Sequence, residues 1–499
     1  MIYIILLIAL LLRLIVINQS LWLDEAIGAL AIKNISYKNL FSNFFTIDNH
    51  PPFYYLFLKM WSKLFGYSEF SLRLPSVLFA IGTIFLTYKI AGLIKQNKNE
   101  RSLKLFSKGR FAKLSLSFPI LASFLLAISQ FHIYYSQEAR MYSMAAFFAT
   151  LSVYFYILIV NQRIKLQYFI GFSISIFFLG ITDYVPYFLI FTLVLYSLVK
   201  IRDKNLSVKF TITFLPLIAF WILWLPLFTK QSQGGNWLLV TLPAWKKLAG
   251  GANIKQILLL WIKFTIGRIT FINKYIYAIV VAFSSIVYFI PLKTFYKNKI
   301  NDKFKIIFLW FIGPLVLSFL TSFFIPSFIY FRFLFIYPAF VLLLSWGILN
   351  IKNNKIKIFV FWVVTAISIL SGFYYYLDKN LQREDWRGAV SYIENNLKTG
   401  DVVIFEYPEP FAPYRWYQKI PGIVYGATDS ISANNDLTKN KTLNLINSKT
   451  GVYYFEYLHD LSDPADYVRE TLITQGFRIE EIKNYYGVGQ LYYYVRQRL

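Results

Sequence analysis

Long apolar runs separated by short polar loops make up most of the chain. Eleven such runs recur, at about 1–18, 70–94, 114–131, 139–160, 167–182, 184–199, 210–228, 274–292, 305–325, 331–350 and 357–376. An α-helix needs roughly 17–25 apolar residues to cross a bilayer, and most of the runs reach that length. The first run lacks the basic start and cleavage site of a signal peptide, so we expect it to be retained. The pattern predicts a polytopic α-helical membrane protein of about eleven transmembrane helices.

Positive charge alternates from loop to loop. Lysine and arginine crowd the loop at 95–113, whereas the loops at 132–137, 182–185 and 326–330 contain neither residue type. Short loops rich in lysine and arginine stay in the cytoplasm. We therefore expect a multi-pass plasma-membrane protein with its N-terminus inside and its C-terminal domain extracytoplasmic.

Two of the external segments are long. The first, at 19–69, contains an apolar run from Phe53 to Phe65 that follows two prolines and is interrupted by lysines. Proline is favoured at the start of a helix, and such a run predicts an amphipathic helix on the outer membrane surface. The second segment spans 229–273. We expect a mobile loop around Gly234-Gly235 and an interfacial helix over 255–273, where Lys263 and Arg268 interrupt the apolar pattern.

The composition changes after residue 376. Helix and strand patterns alternate, which predicts a small α/β domain over 377–499, separate from the membrane domain at 1–376. This C-terminal domain has neither a glycine-rich phosphate loop nor a nucleophile elbow, and we interpret it as an accessory domain. The expected elements are helices at 384–397 and 463–474, strands at 401–406 and 451–456, and an extended segment at 487–495.

Composition excludes several classes of function. The chain is 57% hydrophobic and 20% aromatic, which is too apolar for a soluble protein. It contains no cysteine, so disulfides, thiolate nucleophiles and cysteine-ligated metals are excluded. The net charge of +26 comes mainly from the short loops, so topology explains it and no nucleic-acid partner is expected.

Polar residues of complementary chemistry fall at the external ends of the runs. Each alone has an ordinary structural explanation, such as a helix end, a snorkelling arginine or a local ion pair. Together they suit a lipid phosphate, because a carboxylate can deprotonate a hydroxyl nucleophile while arginine and histidine hold phosphate oxygens. The set consists of Asp24, Glu25, His50, Arg73, Glu138, Arg140, Tyr142 and Arg332.

Four motifs in this set resemble a known family. The motifs are Trp22-Leu-Asp-Glu25, His50-Pro-Pro52, Leu72-Arg-Leu-Pro-Ser76 and Gln137-Glu-Ala-Arg-Met-Tyr142. They are similar to those of the membrane C-type glycosyltransferases, in the subgroup of the dolichyl-phosphate-mannose–protein mannosyltransferases and aminoarabinose transferases (glycosyltransferase family 39-like). The likeness covers the membrane region and is strongest over 20–145. Arg332 with Pro338, and Gln382-Arg-Glu-Asp-Trp-Arg387, are also typical of such proteins.

The resemblance implies an inverting glycosyltransferase with the C-type fold. Its donor would be a polyprenyl-phosphate-linked hexose or pentose on the outer leaflet, and its acceptor a glycan, a lipid or a protein. Asp24 would be the general base, assisted by Glu25. No cofactor or metal is implied, although carboxylates leave room for a divalent cation. The implied substrate-binding residues are Arg73 and Arg140 at the donor phosphate, His50 nearby, Glu138 orienting Arg140 or the acceptor, and Tyr142 and Arg332.

One departure and one alternative qualify this interpretation. The segment 229–255 is too short for the lectin-like insertion of eukaryotic protein mannosyltransferases, which puts protein mannosylation in doubt.

A transporter or flippase of lipid-linked sugars would also need cations for a lipid phosphate, but its ionisable groups should lie near the midplane of symmetric repeats. A transferase predicts instead that Asp24, Arg73, Glu138 and Arg140 line one external cavity, with His50 at its edge.

Overall fold

The computed structural model describes residues 1–94, 103–104, 115–160, 165–297 and 302–497. The described chain is mostly helical, and short helical turns supplement the α-helices at Leu40–Phe44, Tyr330–Ile336 and Lys379–Leu381. The helices of the first 381 residues are α1 (Ile2–Leu14), α2 (Leu23–Asn34), α3 (Tyr37–Asn39), α4 (Phe45–Ile47), α5 (Phe53–Phe65), α6 (Glu69–Ile94), α7 (Phe118–Ile128), α8 (Gln130–Ser136), α9 (Tyr142–Val160), α10 (Leu166–Gly180), α11 (Tyr187–Lys200), α12 (Lys204–Ile212), α13 (Leu215–Thr241), α14 (Pro243–Leu248), α15 (Ile254–Ile266), α16 (Lys274–Lys297), α17 (Asp302–Thr321), α18 (Tyr337–Asn350) and α19 (Asn354–Leu377).

The rest of the described chain alternates helices and strands. A separate pair of two-residue strands, β1 (Leu103–Lys104) and β2 (Ser115–Leu116), lies between α6 and α7. The C-terminal elements are α20 (Trp386–Asn396), β3 (Asp401–Phe405), α21 (Ala412–Tyr417), β4 (Val424–Gly426), α22 (Asn435–Ile446), β5 (Gly451–Phe455), α23 (His459–Ser462), α24 (Tyr467–Thr474), β6 (Phe477–Tyr485) and β7 (Gly489–Arg496).

The chain divides into two compact units. The first unit comprises Met1–Ile17, Phe41–Gly235 and Ala249–Leu381. The second unit comprises Asn18–Leu40, Asn236–Leu248 and Gln382–Leu499. The border at 381/382 lies close to the one expected at 376/377, but the C-terminal domain also takes in two segments of the expected external loops. One of these segments carries Asp24 and Glu25.

The membrane-spanning helices agree with the apolar pattern. Within the described residues, seven helices are long and apolar enough to cross a membrane, or eight if the bent pair of α7 and α8 counts as one span. Three further apolar helices are shorter, namely α1, α10 and α11. Each of the eleven predicted runs therefore corresponds to a helical segment, and the protein is a multi-pass membrane protein. That all three short helices cross completely stays a prediction.

Burial identifies the centre of the first unit. In the most apolar stretch of Tyr330–Asn350, 94% of the residues are buried. The corresponding share is only 22% in the stretches that contain α13 and α16. The central segment therefore packs on all sides against other helices, while α13 and α16 turn most of their surface to lipid. The buried Arg13 on α1 joins two helices, because Nη1 donates to Ala9 O at 2.9 Å within α1 and to Ala127 O at 3.0 Å on α7.

A bend between α7 and α8 brings the motif at 137–142 to the end of the first unit. The two helices meet at 60°, with Ser129 in an extended conformation at the break. Ser129 Oγ accepts the N–H of His132 as an N-cap and donates to Tyr337 Oη at 2.7 Å. The residues after α8 then turn back into α9. Gln137 fixes this turn, since its Nε2 donates to Arg13 O at 2.9 Å.

The second unit is built on a five-stranded mixed sheet. The strand order is β4-β3-β5-β7-β6, in which β3 is parallel to β4 and β5, and β7 is antiparallel to β5 and β6. Alternate side chains of a strand point to opposite faces, so each face has its own apolar core. Trp386 of α20 packs on the face that holds Phe405 and Phe455, and α22 and α24 cover the other face.

Several local expectations are confirmed and others are wrong. The helix expected from Phe53 to Phe65 has those bounds, and 254–266 is helical. The segment around Gly234-Gly235 is not a loop, because α13 continues through both glycines to Thr241. The helix expected at 463–474 is shorter than expected, because α24 begins at Tyr467, and the preceding α23 was not expected. The sequence reading also missed α21, α22, β4 and β6.

Candidate functional site

A chain of polar contacts in the first unit links the loop before α5 to the start of α9. His50 Nδ1 lies 2.8 Å from Asp48 Oδ1, and the hydroxyl of Tyr55 donates to Asp48 Oδ2 at 3.0 Å. Arg140 Nη1 in turn donates to the Tyr55 hydroxyl at 3.0 Å. The Asp48 and His50 side chains are only 12% and 18% exposed. Two sequence motifs separated by almost ninety positions are thus joined through the carboxylate of Asp48.

The loop that carries His50 is held in place by Gln231. Nε2 of this α13 residue lies 2.8 Å from Phe45 O, 2.7 Å from Asp48 O and 3.1 Å from His50 O. Its Oε1 accepts the hydroxyl of Tyr184 at 2.6 Å. A polar side chain that is 2% exposed and bonded at both ends fixes the backbone of a loop that has little structure of its own.

Opposite charges surround the Asp48 carboxylate. Burial raises the pKa of this group, but the neighbouring His50 and the charge of Arg140 outweigh burial and hold the pKa below its usual value. A second carboxylate, Asp183, lies within electrostatic range of His50 and Arg332, and burial outweighs both neighbours and raises its pKa. Carboxylates and cationic groups therefore alternate across this end of the unit.

Arg268 adds a cation that the sequence reading did not place in the site. Its backbone N–H donates to Gln130 Oε1 at 2.5 Å, its Nη1 donates to the Tyr134 hydroxyl, and its guanidinium lies 4.5 Å from the centre of the Tyr134 ring. Burial lowers the pKa of Arg268, but Tyr134, neighbouring tyrosines and Glu138 outweigh it and raise the pKa well above its usual value. Arg268 is therefore a permanent cation beside the buried Glu138.

The turn before Arg268 depends on Gly267. This residue has φ of +79°, a conformation that glycine adopts without strain, and an added Cβ would collide with the side chain of Gln130. The turn ends α15 and directs the Arg268 backbone toward α8. Arg268 and the end of α15 thus contact α8 at Gln130, one helix before the 137–142 motif.

Arg73 is held at the end of the first span. Its side chain is fully buried, and Nη1 donates to the carbonyl of Ile17 at 2.8 Å, just after the end of α1. A guanidinium has five N–H donors, so this bond leaves others for a ligand. Contact between Arg73 and the donor phosphate stays a prediction.

Aromatic side chains line the same end of the unit. Tyr142 is 6% exposed, and its ring centre lies 5.9 Å from that of Tyr135 and 5.6 Å from that of Phe331. Phe331 precedes Arg332 in the short helix at Tyr330–Ile336, so this helix contributes both an aromatic and a cationic side chain. An aromatic wall beside cations suits a ligand that has both apolar and anionic parts.

The expected catalytic carboxylates lie in the second unit, at the start of α2. Asp24 and Glu25 occupy its first turn, where carboxylates are stabilised by the partial positive charge of the helix N-terminus. Glu25 is 1% exposed, and its Oε2 accepts the N–H of Trp22, the residue before the helix, at 3.4 Å. Asp24 is less buried than Glu25. Glu25 therefore stabilises the helix that presents Asp24.

The structure divides the expected set between the two units. In the first unit, Arg140 is linked to His50 by hydrogen bonds. Glu138 lies within electrostatic range of Arg268, and Arg332 within that of Asp183. The cavity expected to contain Asp24 and Arg140 together stays a prediction. The site residues that the sequence reading missed are Asp48, Asp183, Gln231 and Arg268. Their signals were weak, since Asp48 lies just outside the His50-Pro-Pro52 motif and Arg268 was noted only as an interruption of an apolar helix.

One group in the second unit has donor atoms spaced as metal ligands. Among the described residues, Glu406, His459 and Asp466 offer donor atoms that all lie within 4.8 Å of one another. His459 Nδ1 is 3.0 Å from Glu406 Oε2, so these two side chains already satisfy each other. The group is distant in sequence from every residue of the expected site.

An apolar groove of about 460 Å³ lies between α15 and α16. Trp261 on α15 and Ile286, Phe289 and Ile290 on α16 line it, and Trp261 Nε1 donates to Ser285 Oγ at 2.9 Å. Such a lining offers contacts mainly to hydrocarbon. The groove belongs to the same pair of helices that flank Arg268.

Comparison with solved structures identifies the architecture. ArnT from Cupriavidus metallidurans bound to undecaprenyl phosphate matches 99% of this chain over 97% of its own, with a TM-score of 0.57 and 10% sequence identity. The chain has the fold of the membrane C-type glycosyltransferases. Apo ArnT gives a TM-score of 0.56 at the same identity and coverage.

A second C-type glycosyltransferase shares this fold. The oligosaccharyltransferase AglB from Archaeoglobus fulgidus, in complex with an inhibitory peptide and a dolichol-phosphate, matches 98% of this chain over 74% of its own, with a TM-score of 0.52 and 12% identity. No protein-family model and no curated protein sequence matches the chain. At such low identity the likeness establishes the C-type fold, which was expected from four short motifs.

Proposed function

We propose that this protein is an inverting glycosyltransferase that moves a sugar from a polyprenyl-phosphate donor to an acceptor on the outer face of the membrane. The observation that carries the proposal is the polar cluster of the first unit, in which arginines and a histidine alternate with buried carboxylates on a C-type glycosyltransferase fold. Undecaprenyl phosphate and dolichol-phosphate bind to the two structural neighbours, and both are polyprenyl phosphates.

The cations are assigned to the donor phosphate. Arg140, Arg268 and Arg332 offer several N–H donors each, and a guanidinium matches the oxygens of a phosphate in a bidentate arrangement. Their charges would stabilise the phosphate as it leaves the sugar and gains negative charge. His50 would add a further donor near the phosphate, held in orientation by Asp48. Arg73 holds the end of α1 through one N–H, and its remaining N–H groups are assigned to the donor phosphate as well.

The remaining residues are assigned to the acceptor and to support. Asp24 is the general base that takes the proton from the acceptor hydroxyl as that oxygen attacks the anomeric carbon. Glu25 holds the first turn of α2, Glu138 balances the charge of Arg268, and Tyr142 forms part of the wall beside the sugar. One displacement inverts the anomeric carbon without a covalent intermediate. The groove between α15 and α16 has an apolar lining, which suits the hydrocarbon of the polyprenyl tail.

The second unit is assigned to the extracytoplasmic side of the membrane. There the acceptor is a hydroxyl-bearing glycan, lipid or protein, and a hexose or pentose is transferred to it. The basic loops that alternate with uncharged ones support this orientation.

The test is the Asp24→Asn variant, assayed in membranes with a radiolabelled polyprenyl-phosphate sugar. Loss of the proton acceptor with little change of shape should lower turnover by about 10²-fold or more while donor binding survives. Asp302→Asn is the control, because Asp302 is an exposed carboxylate in a surface ion pair with Lys200. Turnover of Asp24→Asn at the wild-type rate would show that the assigned base is wrong.

A further inference from the structure

The segment that leads into α2 is bonded to the C-terminal domain within the second unit. Gln19, Ser20 and Leu21 each contribute one polar atom to these hydrogen bonds. Two of the partners, Arg383 and Arg387, lie shortly after the end of α19. The backbone is therefore fixed before Asp24 is reached. The hydrogen bonds run from Arg383 N–H to Gln19 Oε1 at 2.7 Å, from Arg387 N–H to Ser20 Oγ at 3.1 Å, and from Leu21 N–H to Tyr417 Oη at 2.8 Å.

Glu384 makes the contact that reaches the helix itself. Its Oε2 accepts the N–H of Leu23 at 3.3 Å, and Leu23 is the first residue of α2. The first N–H groups of a helix have no partner within it, and a side chain usually supplies one from the residue just before the helix. Here Trp22 holds that position and its side chain makes no cap, so a carboxylate more than 350 residues further along the chain caps Leu23.

The Glu384 side chain is itself held on three sides. Trp386 Nε1 donates to Oε2 at 2.7 Å, and the hydroxyl of Tyr457 donates to Oε1 at 3.0 Å. Gly487, with φ of +75°, lies so close that an added Cβ would be 2.8 Å from Glu384 Cγ. These contacts hold the carboxylate, and with it the first residue of α2, beside Trp386 and Tyr457 of the sheet core.

Asp24 lies within electrostatic range of this carboxylate. Burial raises the pKa of Glu384 to about 7, and the charge of Asp24 adds to the rise. The residue that caps α2 and the residue assigned as the base are thus neighbours at one helix terminus.

We propose that Glu384 is a positioning residue, which fixes the first turn of α2 on the C-terminal domain and so sets the position of the Asp24 carboxylate. This inference rests on the proposed role of Asp24. It gives residues 382–499 a part in the reaction, through a hydrogen bond to the helix that carries Asp24.

The effect of removing the carboxylate follows from its three partners. Glu384→Ala leaves Leu23 N–H, Trp386 Nε1 and the Tyr457 hydroxyl without their acceptor, so the first turn of α2 loosens. A displacement of about 1 Å at a reacting group can cost on the order of 10²-fold in rate. Glu384→Gln keeps an oxygen that accepts the Leu23 N–H, and it should restore the position.

The experiment compares these variants with a matched control in the full-length protein. Asp401→Ala serves as control, because Asp401 is a buried carboxylate of the same domain that accepts Lys398 N–H at 3.0 Å and a tyrosine hydroxyl, without a hydrogen bond to 18–23. Per folded molecule, Glu384→Ala should lower kcat by about 10-fold to 10²-fold with KM for the polyprenyl-phosphate sugar nearly unchanged. Glu384→Gln should recover most of the loss, and Asp401→Ala should match the wild type.

A second measurement separates this inference from the proposed base. Hydrogen exchange of the amides at 22–26 should accelerate in Glu384→Ala but not in Asp401→Ala or Asp24→Asn. Unchanged exchange in Glu384→Ala, or an equal loss of activity in Asp401→Ala, would overturn the positioning role. Full activity of Asp24→Asn together with faster exchange in Glu384→Ala would instead show that the contact exists and that the assigned base is wrong.

Discussion

At the scale of single residues, four buried arginines differ in their hydrogen-bond partners. Arg13 and Arg73 each donate to a backbone carbonyl, and Arg73 thereby holds the end of α1. Arg140 and Arg268 donate to tyrosine hydroxyls and lie near carboxylates. A sequence shows only that an arginine falls near an apolar run, which is why it gave no reason to place Arg268 in the site.

Arg268 gives the sharpest residue-scale test of phosphate binding. Arg268→Ala should raise KM for the polyprenyl-phosphate sugar by roughly 10-fold or more, since a hydrogen bond to a charged group contributes about 1.5–3 kcal/mol. Arg268→Lys should recover part of the affinity, because a lysine keeps the charge but not the bidentate geometry. Steady-state kinetics in membranes would measure both.

The control for this prediction is Arg202→Ala, because Arg202 is an exposed arginine in the loop between α11 and α12. Equal KM values for Arg268→Ala and Arg202→Ala would remove Arg268 from the donor site.

The raised pKa of Glu384 predicts how the stability of the folded protein depends on pH. A carboxyl group whose pKa is raised on folding stabilises the folded state while it is protonated, and that contribution is lost as pH rises from about 4.5 through about 7. The melting temperature of the wild type should therefore fall more steeply between pH 5 and pH 8 than that of Glu384→Gln. Thermal unfolding of the full-length protein in detergent would show this, and parallel curves would contradict it.

At the scale of elements, the apolar helices could be predicted because a backbone inside lipid must satisfy its own hydrogen bonds. Any long apolar run therefore forms a helix, and all eleven runs did. The elements that were missed depend on contacts far away in sequence. α13 continues through Gly234-Gly235 although glycine disfavours helices, and β6 carries charged residues on an edge strand where little is buried.

Substitution of two glycines tests whether the turn after α15 matters for the site. Gly267→Ala should destabilise the turn after α15 and lower activity, since it forces a positive φ on alanine and pushes against Gln130, the partner of the Arg268 N–H. Gly234→Ala is the matched control, because nothing lies within 4 Å of an added Cβ there. Alanine in that helix should raise stability by roughly 0.5–1 kcal/mol.

Melting temperature and turnover of both variants would be compared with the wild type. If Gly267→Ala and Gly234→Ala behave alike, the turn does not depend on glycine and Arg268 is not held by it.

At the scale of the whole molecule, the sequence predicted the membrane domain and the α/β domain but not their composition. Periodicity and composition report local structure, so a border near 376 could be placed where apolar runs end. That 18–40 belongs with the C-terminal domain depends on hydrogen bonds such as Leu21 N–H to Tyr417, which join residues almost 400 positions apart. No local pattern carries that information, although it decides which unit contains Asp24.

The orientation of the molecule is the last prediction, and it bears on the function directly. A polyprenyl-phosphate sugar on the outer leaflet can be used only if Asp24 and the C-terminal domain lie outside the cytoplasm. Eleven crossings put them there, because the basic loops are then all cytoplasmic, but among the described residues only seven or eight helices reach spanning length by themselves. Reporter fusions at Lys104 and Asn440 should therefore give opposite topologies. A fusion at Lys165, in the next basic loop, is the control and should agree with Lys104. If Lys104 and Asn440 report the same side, one of the short helices α1, α10 or α11 does not cross, and a donor on the outer leaflet would not meet the proposed base.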